Sequence, residues 1–227
     1  VPASIYAIMQ STLVSNCANI TSPGVYELSV NLTGAPNPFV YPVCIKINSS
    51  NVSLDCKGHS LTATSSFQMG IAILSSQNVT VKNCRIRGYY QGIYASAFDS
   101  GMLLNNSLYD GYSGVLFAHL TNTLISNNSA YNNTIGFNIQ DQSNYNRYED
   151  NRAFNNSQDG FYIYNSHNSN FTNNNVTKNS YNGFHLYYAD YNRFIQNNMT
   201  RNGYSSTYYL SQLMDGAWEE QYSRSFG

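Results

Sequence analysis

A glycine followed by an apolar, a variable and a second apolar or small residue recurs along this chain at nearly constant spacing. The steps between successive glycines are 22, 22, 22, 24 and 23 residues. The six copies are GIAI at Gly70, GIYA at Gly92, GVLF at Gly114, GFNI at Gly136, GFYI at Gly160 and GFHL at Gly183. A fixed period of this length is typical of proteins that stack one structural unit on the next.

Two further apolar columns keep step with the glycines. The first is Val81, Leu103, Ile125, Tyr148, Phe171 and Phe194, and the second is Ile86, Leu108, Ala130, Ala153, Val176 and Met199. Within each unit the apolar residues alternate with polar ones, as in a strand, and do not form the stripe of an amphipathic helix. The pattern predicts an all-β solenoid of about eight coils of 22–24 residues, with three short strands in each coil.

Asparagine, which occurs 33 times, also follows the period. One column is Asn106, Asn128, Asn151, Asn174 and Asn197, and a second is Asn133, Asn156, Asn179 and Asn202. A side-chain amide has both donors and an acceptor, so stacked copies can bond along the solenoid while closing a bend between strands. We therefore predict an asparagine ladder in the first column and another corner at the second.

Charge is scarce, because Asp, Glu, Lys and Arg make up 10% of the chain and the net charge is −1. Such a chain lacks the positive charge that would attract nucleic acid. It also contains no run of 18 apolar residues, so no membrane span is predicted. It begins at Val1 without a basic leader, as expected after signal cleavage, so we expect an extracellular or cell-surface location. Candidate N-glycosylation sites are Asn19, Asn31, Asn48, Asn51, Asn78, Asn105, Asn127, Asn132, Asn155, Asn170, Asn175 and Asn198.

Several phrases resemble a known repeat family. They are SSNVSLDCKGHSLTA, GIAILSSQNVTVKNCRIRGYYQGIYA and the later NN and NG units, which together cover about residues 44–206. These units are similar to the parallel β-helix repeats of the NosD-like family, which pectate-lyase-like β-helices also resemble in architecture. The resemblance implies a right-handed parallel β-helix, but the fold hosts enzymes, adhesins and scaffolds alike.

The four cysteines all lie in the first 84 residues, and an even set in an exported chain predicts two disulfides. Zinc is the alternative, although no CxxC pair is present. The first coils resemble the disulfide-bearing coils of exported microbial β-helix proteins, which implies the pairs Cys17–Cys44 and Cys56–Cys84. Cys56 and Cys84 also occupy equivalent points of adjacent coils, which independently favours the second pair.

Candidate catalytic residues come only from the repeat register. His119 and Asp141 each lie five residues after their repeat glycine, and His167 and Asp190 each lie seven after theirs. A stacked His and carboxylate could act as a general base, with Tyr162, Tyr164, Tyr187 and Tyr188 available to contact sugar rings. No Lys or Arg column accompanies them, however, and the motifs of β-helix hydrolases and epimerases are missing. We therefore interpret these His and Asp residues as turn residues and not as an active site. We likewise expect the tyrosines mainly to cover the strands, with a glycan-binding or protein-binding face as the alternative.

No cofactor is predicted either. The NosD name implies copper, but the four histidines are scattered, and neither a His-x-His motif nor a methionine cluster is present. No metal site is therefore expected.

The chain divides into three segments. Residues 1–16 form an uncharged non-repeat arm, 17–206 the solenoid with disulfide-bearing coils at 17–88, and 207–227 a cap or contact segment. Because open solenoids expose edges that polymerise unless covered, the leading hypothesis is a secreted, glycosylated structural protein. It would form a homo-oligomer, filament or surface layer through its ends or arm. The alternatives are a β-helix that binds or cleaves polysaccharide, and a passive domain of a larger surface protein.

Overall fold

The computed structural model describes residues 10–203, which form a right-handed parallel β-helix of 25 strands. The strands, numbered in chain order, build three parallel sheets that run the length of the solenoid. The predicted fold class is therefore confirmed. Within residues 10–203, no helix is long and apolar enough to cross a membrane.

Sheet A has nine strands, and sheets B and C have eight each. Sheet A contains β1 (Thr12–Val14), β3 (Gly24–Leu28), β6 (Val52–Asp55), β9 (Thr80–Lys82), β12 (Met102–Leu104), β15 (Leu124–Ser126), β18 (Arg147–Glu149), β21 (Asn170–Thr172) and β24 (Arg193–Ile195). Sheet B contains β2 (Asn19–Ile20), β5 (Val43–Ile47), β8 (Met69–Gln77), β11 (Gln91–Asp99), β14 (Ser113–Thr121), β17 (Ile135–Gln140), β20 (Phe161–Tyr164) and β23 (Phe184–Tyr187). Sheet C contains β4 (Leu32–Thr33), β7 (Ser60–Thr62), β10 (Arg85–Arg87), β13 (Ser107–Tyr109), β16 (Ser129–Tyr131), β19 (Arg152–Phe154), β22 (Asn175–Thr177) and β25 (Asn198–Thr200).

One coil visits the sheets in the order B, A, C, as in β8, β9 and β10, and the next coil begins with β11. The predicted columns are the paired positions of neighbouring strands, since Ile93 pairs with Ile71 on one side and Val115 on the other. Three strands per coil and about eight coils follow directly from the period of the sequence.

The repeat glycine is required by the close approach of successive coils. A Cβ built on Gly92 would lie 2.5 Å from the carbonyl oxygen of Gly114, and one on Gly114 would lie 2.6 Å from that of Gly136. Any side chain at this position would push adjacent coils apart, which explains why glycine recurs there.

The core is a set of like side chains stacked along the axis. The rings of Phe137 and Phe161 are 4.4 Å apart with an interplanar angle of 5°, and those of Tyr148 and Phe171 are 4.5 Å apart at 4°. All four are fully buried. Each buried aromatic side chain stabilises the fold by about 2–3 kcal/mol through apolar surface removed from water.

The asparagines of the first column form a buried hydrogen-bonded row at the corner between sheets A and C. Asn106 Nδ2 donates to Asn128 Oδ1 at 3.0 Å, and Asn128 Nδ2 donates to Asn151 Oδ1 at 3.1 Å. The row continues through Asn174 to Asn197, each step at 2.9–3.0 Å. The second column forms a similar row, in which Asn156 Nδ2 donates to Asn179 Oδ1 at 2.8 Å.

Two disulfides close the first coils, as expected. Cys17 is bonded to Cys44 and Cys56 to Cys84, with Cα separations of 4.6 and 4.8 Å. Each joins residues of neighbouring coils, so the sulfurs link successive turns in the part of the solenoid that precedes the ladder.

The predicted terminal segments lie largely outside the described residues. Of the arm assigned to 1–16, the structure describes 10–16, and these include β1, the first strand of sheet A. The cap assigned to 207–227 lies wholly outside the described residues. The roles assigned to both segments stay predictions.

Candidate functional site

The first predicted pair, His119 and Asp141, occupies one corner in adjacent coils. The backbone N–H of His119 donates to the carbonyl oxygen of Asp141 at 3.0 Å, and both residues have positive φ, 56° and 51°. In the described part of the chain, their side chains form no hydrogen bond or ion pair with each other. The two residues share a register position, but their side chains share no bond through which one could activate the other.

The second predicted pair, His167 and Asp190, is in direct contact. The backbone N–H of Asp190 donates to Nδ1 of His167 at 3.0 Å, while the Asp190 carboxylate oxygen Oδ2 lies 3.8 Å from that nitrogen. Because Nδ1 accepts this bond, the imidazole carries its proton on Nε2 when neutral. The carboxylate therefore does not orient His167 as a base.

A third pair, which the sequence analysis missed, has the geometry of an oriented histidine. Asp159 Oδ2 lies 3.0 Å from Nδ1 of His185, and Oδ1 accepts hydrogen bonds from the backbone N–H and side-chain Nδ2 of Asn182 at 3.0 and 2.8 Å. Asp159 is only 4% exposed, so these three donors replace the water that a buried carboxylate loses.

This pair was missed because its members stand at different offsets from their repeat glycines. Asp159 directly precedes Gly160, whereas His185 lies two residues after Gly183. A signal was nevertheless present: the position before the repeat glycine holds Met69, Gln91, Ser113, Ile135, Asp159 and Asn182, and Asp159 is the charged residue among them. A charge at a buried column position requires partners, and sequence alone could have prompted a search for them.

An ionised carboxylate only accepts hydrogen bonds, so His185 must donate its Nδ1–H to Asp159. That bond leaves Nε2 of the neutral ring with its lone pair, on a side chain that is 36% exposed. The arrangement provides a proton acceptor or hydrogen-bond acceptor at the surface of β23. In catalytic triads, a carboxylate likewise fixes the tautomer and the orientation of an imidazole.

Tyrosines surround the pair on the outer face of sheet B. The ring of Tyr162 meets that of His185 at 5.0 Å and 77°, and the ring of Tyr164 stacks on Tyr187 at 5.5 Å and 15°. Tyr187 and Tyr188, whose centroids are 4.3 Å apart, are 38% and 55% exposed. We call the outer surface formed by Tyr162, Tyr164, His185, Tyr187 and Tyr188, together with the buried Asp159 that contacts His185, the Tyr–His face.

Tyr162 and Tyr187 of this face keep their protons at neutral pH. Burial, together with Tyr164 and Asp159, raises the pKa of Tyr162. A hydrogen bond with Tyr188, followed by charge repulsion from the same residue, raises the pKa of Tyr187. The face therefore presents neutral hydroxyl groups that can donate and accept hydrogen bonds.

The described residues do not provide the donors of a metal centre. Between residues 10 and 203, no group of three or more His, Cys, Asp or Glu side chains is placed to hold a metal ion. Every cysteine sulfur is bound in a disulfide, so thiolate ligands are absent. Copper favours imidazole and sulfur ligands, and this part of the chain does not fit such a site.

Solved structures with a similar fold include the periplasmic alginate epimerase AlgG, with a TM-score of 0.60 and 15% identity over 82% of this chain and 56% of that one. A substituted form of AlgG gives a TM-score of 0.50 at 16% identity, over 77% and 58% of the two chains. The Dettilon tailspike protein gives 0.42 at 9%, over 83% and 54%. The chain thus spans little more than half the length of these structures, and the 15–16% identity with AlgG shows a shared fold alone. No match was found among curated proteins.

A protein-family model supplies a more specific relationship. The model, described as "Periplasmic copper-binding protein (NosD)", matches residues 48–215. The copper in that description does not agree with the donors found in residues 10–203. The periplasmic location does agree with the two disulfides, because disulfides form in compartments outside the cytoplasm. The matched region covers well over half of the chain, which therefore belongs to the NosD family.

Proposed function

We propose that this protein is an exported β-helix that binds carbohydrate through the Tyr–His face. The observation that carries the proposal is the oriented Asp159–His185 pair beside partly exposed tyrosines. Tyrosine combines an apolar ring with a polar hydroxyl, a combination that suits sugars, which present both C–H faces and hydroxyl groups. An oriented imidazole and neutral phenols add fixed hydrogen-bonding groups to that surface.

The shape of the site favours a polymer over a small molecule. The face lies on the outside of a continuous parallel sheet, where Tyr162 and Tyr164 of β20 pair with His185 and Tyr187 of β23. An extended chain can follow such a surface across successive coils. The alginate epimerase that shares the fold is named for a polysaccharide, which supports the class of ligand without indicating the site.

Affinity electrophoresis and calorimetry against a panel of neutral and acidic polysaccharides test this proposal. The substitutions Tyr187→Ala and His185→Ala should each weaken binding about tenfold or more, the usual effect of removing a central contact residue. Tyr181→Ala is a matched control, because Tyr181 is 53% exposed and belongs to the same coil but lies outside the face. Equal binding by all three variants, or no binding to any polysaccharide, would overturn the proposal.

A second candidate function is assembly into a filament or surface layer through the solenoid ends. It is favoured by Leu13, which is 67% exposed on β1, the terminal strand of sheet A within residues 10–203. Light scattering and negative-stain microscopy of the wild type and of Leu13→Asp test it. Concentration-dependent oligomers that the substitution abolishes would support assembly, and monomers at all concentrations would contradict it.

Covalent glycans remain part of the proposal. All sequon asparagines named above are exposed except Asn175, which is half-buried, whereas Asn106, Asn128, Asn151 and Asn174 of the ladder are fully buried. The accessible sequons therefore lie on the surface that a glycosylating enzyme could reach. Intact-mass measurement on protein from its native source, before and after enzymatic deglycosylation, checks this expectation.

A further inference from the structure

A second surface, on the outer face of sheet C, combines aromatic rings with arginines. The rings of Tyr109 and Tyr131 stack at 4.9 Å and 3°, and those of Tyr131 and Phe154 stack at 4.9 Å and 10°. The guanidinium carbon of Arg87 lies 6.0 Å from the Tyr109 ring centroid, and that of Arg152 lies 5.3 Å from the Phe154 centroid. The aromatic column is therefore flanked by an arginine near each end.

Cations are concentrated on this side of the solenoid. Arg85, Arg87 and Arg152 lie on strands of sheet C, and Lys178 and Arg201 follow β22 and β25 at the adjoining corner. All five are exposed. The chain has 11 Lys and Arg residues and a net charge of −1, so this clustering is a local property that the overall charge conceals. We call this surface, with its aromatic column, the basic strip.

Carboxylates neutralise little of the basic strip. Asp110 forms an ion pair with Arg87 at 2.9 Å, and Asp150 lies at the opposite corner, between sheets A and C. Arg85, Arg152, Lys178 and Arg201 have no carboxylate partner within the described residues. Four cations are therefore available to an outside ligand.

The spacing of the strip matches a linear polymer that runs along the solenoid axis. Arg85, Ser107, Ser129 and Arg152 are successive partners in sheet C, so the two arginines are three strands apart, or about 14 Å at the usual strand spacing. One strand step is comparable to the length of one sugar unit in a polysaccharide. Between the arginines, hydroxyl groups of Ser107, Ser129 and the two tyrosines repeat at the same interval.

Tyr131 of the strip acts as a neutral hydrogen-bonding group. Burial, with contributions from Tyr109 and Asp110 and opposed by Arg85 and Arg87, raises the pKa of Tyr131. Its hydroxyl therefore stays protonated near neutral pH. Because the rings stack on one another, they turn edges and hydroxyl groups outward, and the faces on which nucleic-acid bases would stack are covered.

We propose that the basic strip binds a linear acidic polysaccharide whose carboxylates contact Arg85 and Arg152 and whose hydroxyl groups contact the tyrosine and serine rows. Guanidinium groups bind carboxylates through two parallel hydrogen bonds, which gives direction as well as charge attraction. The strip lies on a different sheet from the Tyr–His face. The proposal therefore stands independently of the function proposed for that face.

Oligogalacturonate is a suitable probe, and its methyl ester has the same backbone without the charges. In calorimetry at low salt, the wild-type chain should bind the acid form and bind the ester at least about tenfold more weakly, since each arginine contact is charge-assisted. Binding of the acid form should also weaken as salt is raised, because exposed charges are screened. Equal affinity for the two forms would overturn the proposal.

The double substitution Arg85→Gln/Arg152→Gln should weaken binding of the acid form about tenfold or more. Arg147→Gln/Arg193→Gln is the matched control, because both of these arginines are exposed, on sheet A, and the change in charge is identical. Circular dichroism checks that both variants remain folded. Equal losses in the two variants would contradict a site on sheet C, and equal or tighter binding of single-stranded DNA would replace the polysaccharide with nucleic acid.

One further variant separates the two proposed surfaces. Tyr187→Ala alters the Tyr–His face and leaves sheet C unchanged, so in this background Arg85→Gln/Arg152→Gln should still weaken binding of oligogalacturonate about tenfold or more. A loss with Tyr187→Ala and none with the Arg85/Arg152 variant would place the acidic polymer on the Tyr–His face and refute the basic strip.

Discussion

Nδ1 of His185 lies 3.0 Å from Oδ2 of Asp159, although 26 positions separate the two residues in sequence. The solenoid brings them together because β23 lies one coil after β20 in sheet B. Asn182 donates two hydrogen bonds to Oδ1, the other oxygen of the Asp159 carboxylate. These bonds fix the orientation of the carboxylate that His185 contacts.

This contact predicts a specific tautomer for His185. In the wild-type protein the neutral ring should carry its proton on Nδ1, since a carboxylate cannot donate. Long-range ¹H–¹⁵N correlation spectra measure the tautomer directly. Asp159→Asn should shift His185 toward the Nε2–H form that free histidine prefers, while the signals of His119 stay unchanged. An Nε2–H ring in the wild type would contradict the proposed geometry.

The fold could be predicted from the sequence because the residues that determine it act locally and recur in every coil. Gly92 and Gly114 recur where adjacent coils approach most closely, and Asn106 and Asn128 recur where a bend must be closed from within. Each coil repeats the same physical requirement, so the period alone places every strand beside its neighbours.

The site was less accessible because its residues break the repeat. Asp159 and His185 meet across a diagonal between coils, which a comparison of equivalent positions does not reveal. The basic strip was missed for a related reason: Arg85 and Arg152 belong to one column but are three coils apart, with serines between them. Both proposed sites consist of departures from the pattern that defines the fold.

The disulfide between Cys56 and Cys84 should stabilise the first coils most. The bonded residues are 28 positions apart, and closing a loop of this length contributes about 3–4 kcal/mol by restricting the unfolded chain. In a solenoid such effects stay near the affected coils. The Cys56→Ala/Cys84→Ala variant should therefore lose hydrogen-exchange protection in β6 to β10 and retain it in β19 to β22. Uniform loss along the chain would instead indicate one cooperative unit.

Two carboxylates should make stability depend on acid pH. Burial alone would raise the pKa of Asp55, but hydrogen bonds from Asn83 and the backbone of Lys57, with the charges of Lys82 and Lys57, lower it. Hydrogen bonds from Thr121, Ser100 and Asn122 lower the pKa of Asp99. Because each pKa is lower in the folded state, the stabilisation is present above the unfolded value, about 3.9, and is lost as pH falls through the folded value.

Urea denaturation between pH 6 and pH 2 measures this dependence. The free energy of unfolding should fall as the solution is acidified below about pH 4, and the Asp55→Asn/Asp99→Asn variant should show a shallower fall. The variant should also be less stable at neutral pH, since its amides cannot accept every bond that the carboxylates accept. Identical slopes for the two proteins would assign the acid sensitivity to other groups.

The asparagine ladder should be sensitive to loss of a single member. Asn128 Oδ1 accepts from the backbone N–H and Nδ2 of Asn106, and its own Nδ2 donates to the carbonyl oxygen of Leu103 at 2.8 Å. Asn128→Ala removes these bonds and leaves the buried backbone N–H of Asn106 without its acceptor, at about 1–3 kcal/mol for an unpaired buried group. Chemical denaturation should report the loss, and hydrogen exchange should locate it at β12 to β19.

Asn127→Gly is the control for that experiment, because Asn127 is the exposed neighbour of Asn128 and has a φ of 55°, a conformation that glycine adopts without strain. It should change the free energy of unfolding by no more than about 0.5 kcal/mol. A difference of this kind between adjacent asparagines would show that position in the coil, and not asparagine content, stabilises the solenoid. Comparable losses from both substitutions would mean that the ladder contributes no more than an exposed corner residue.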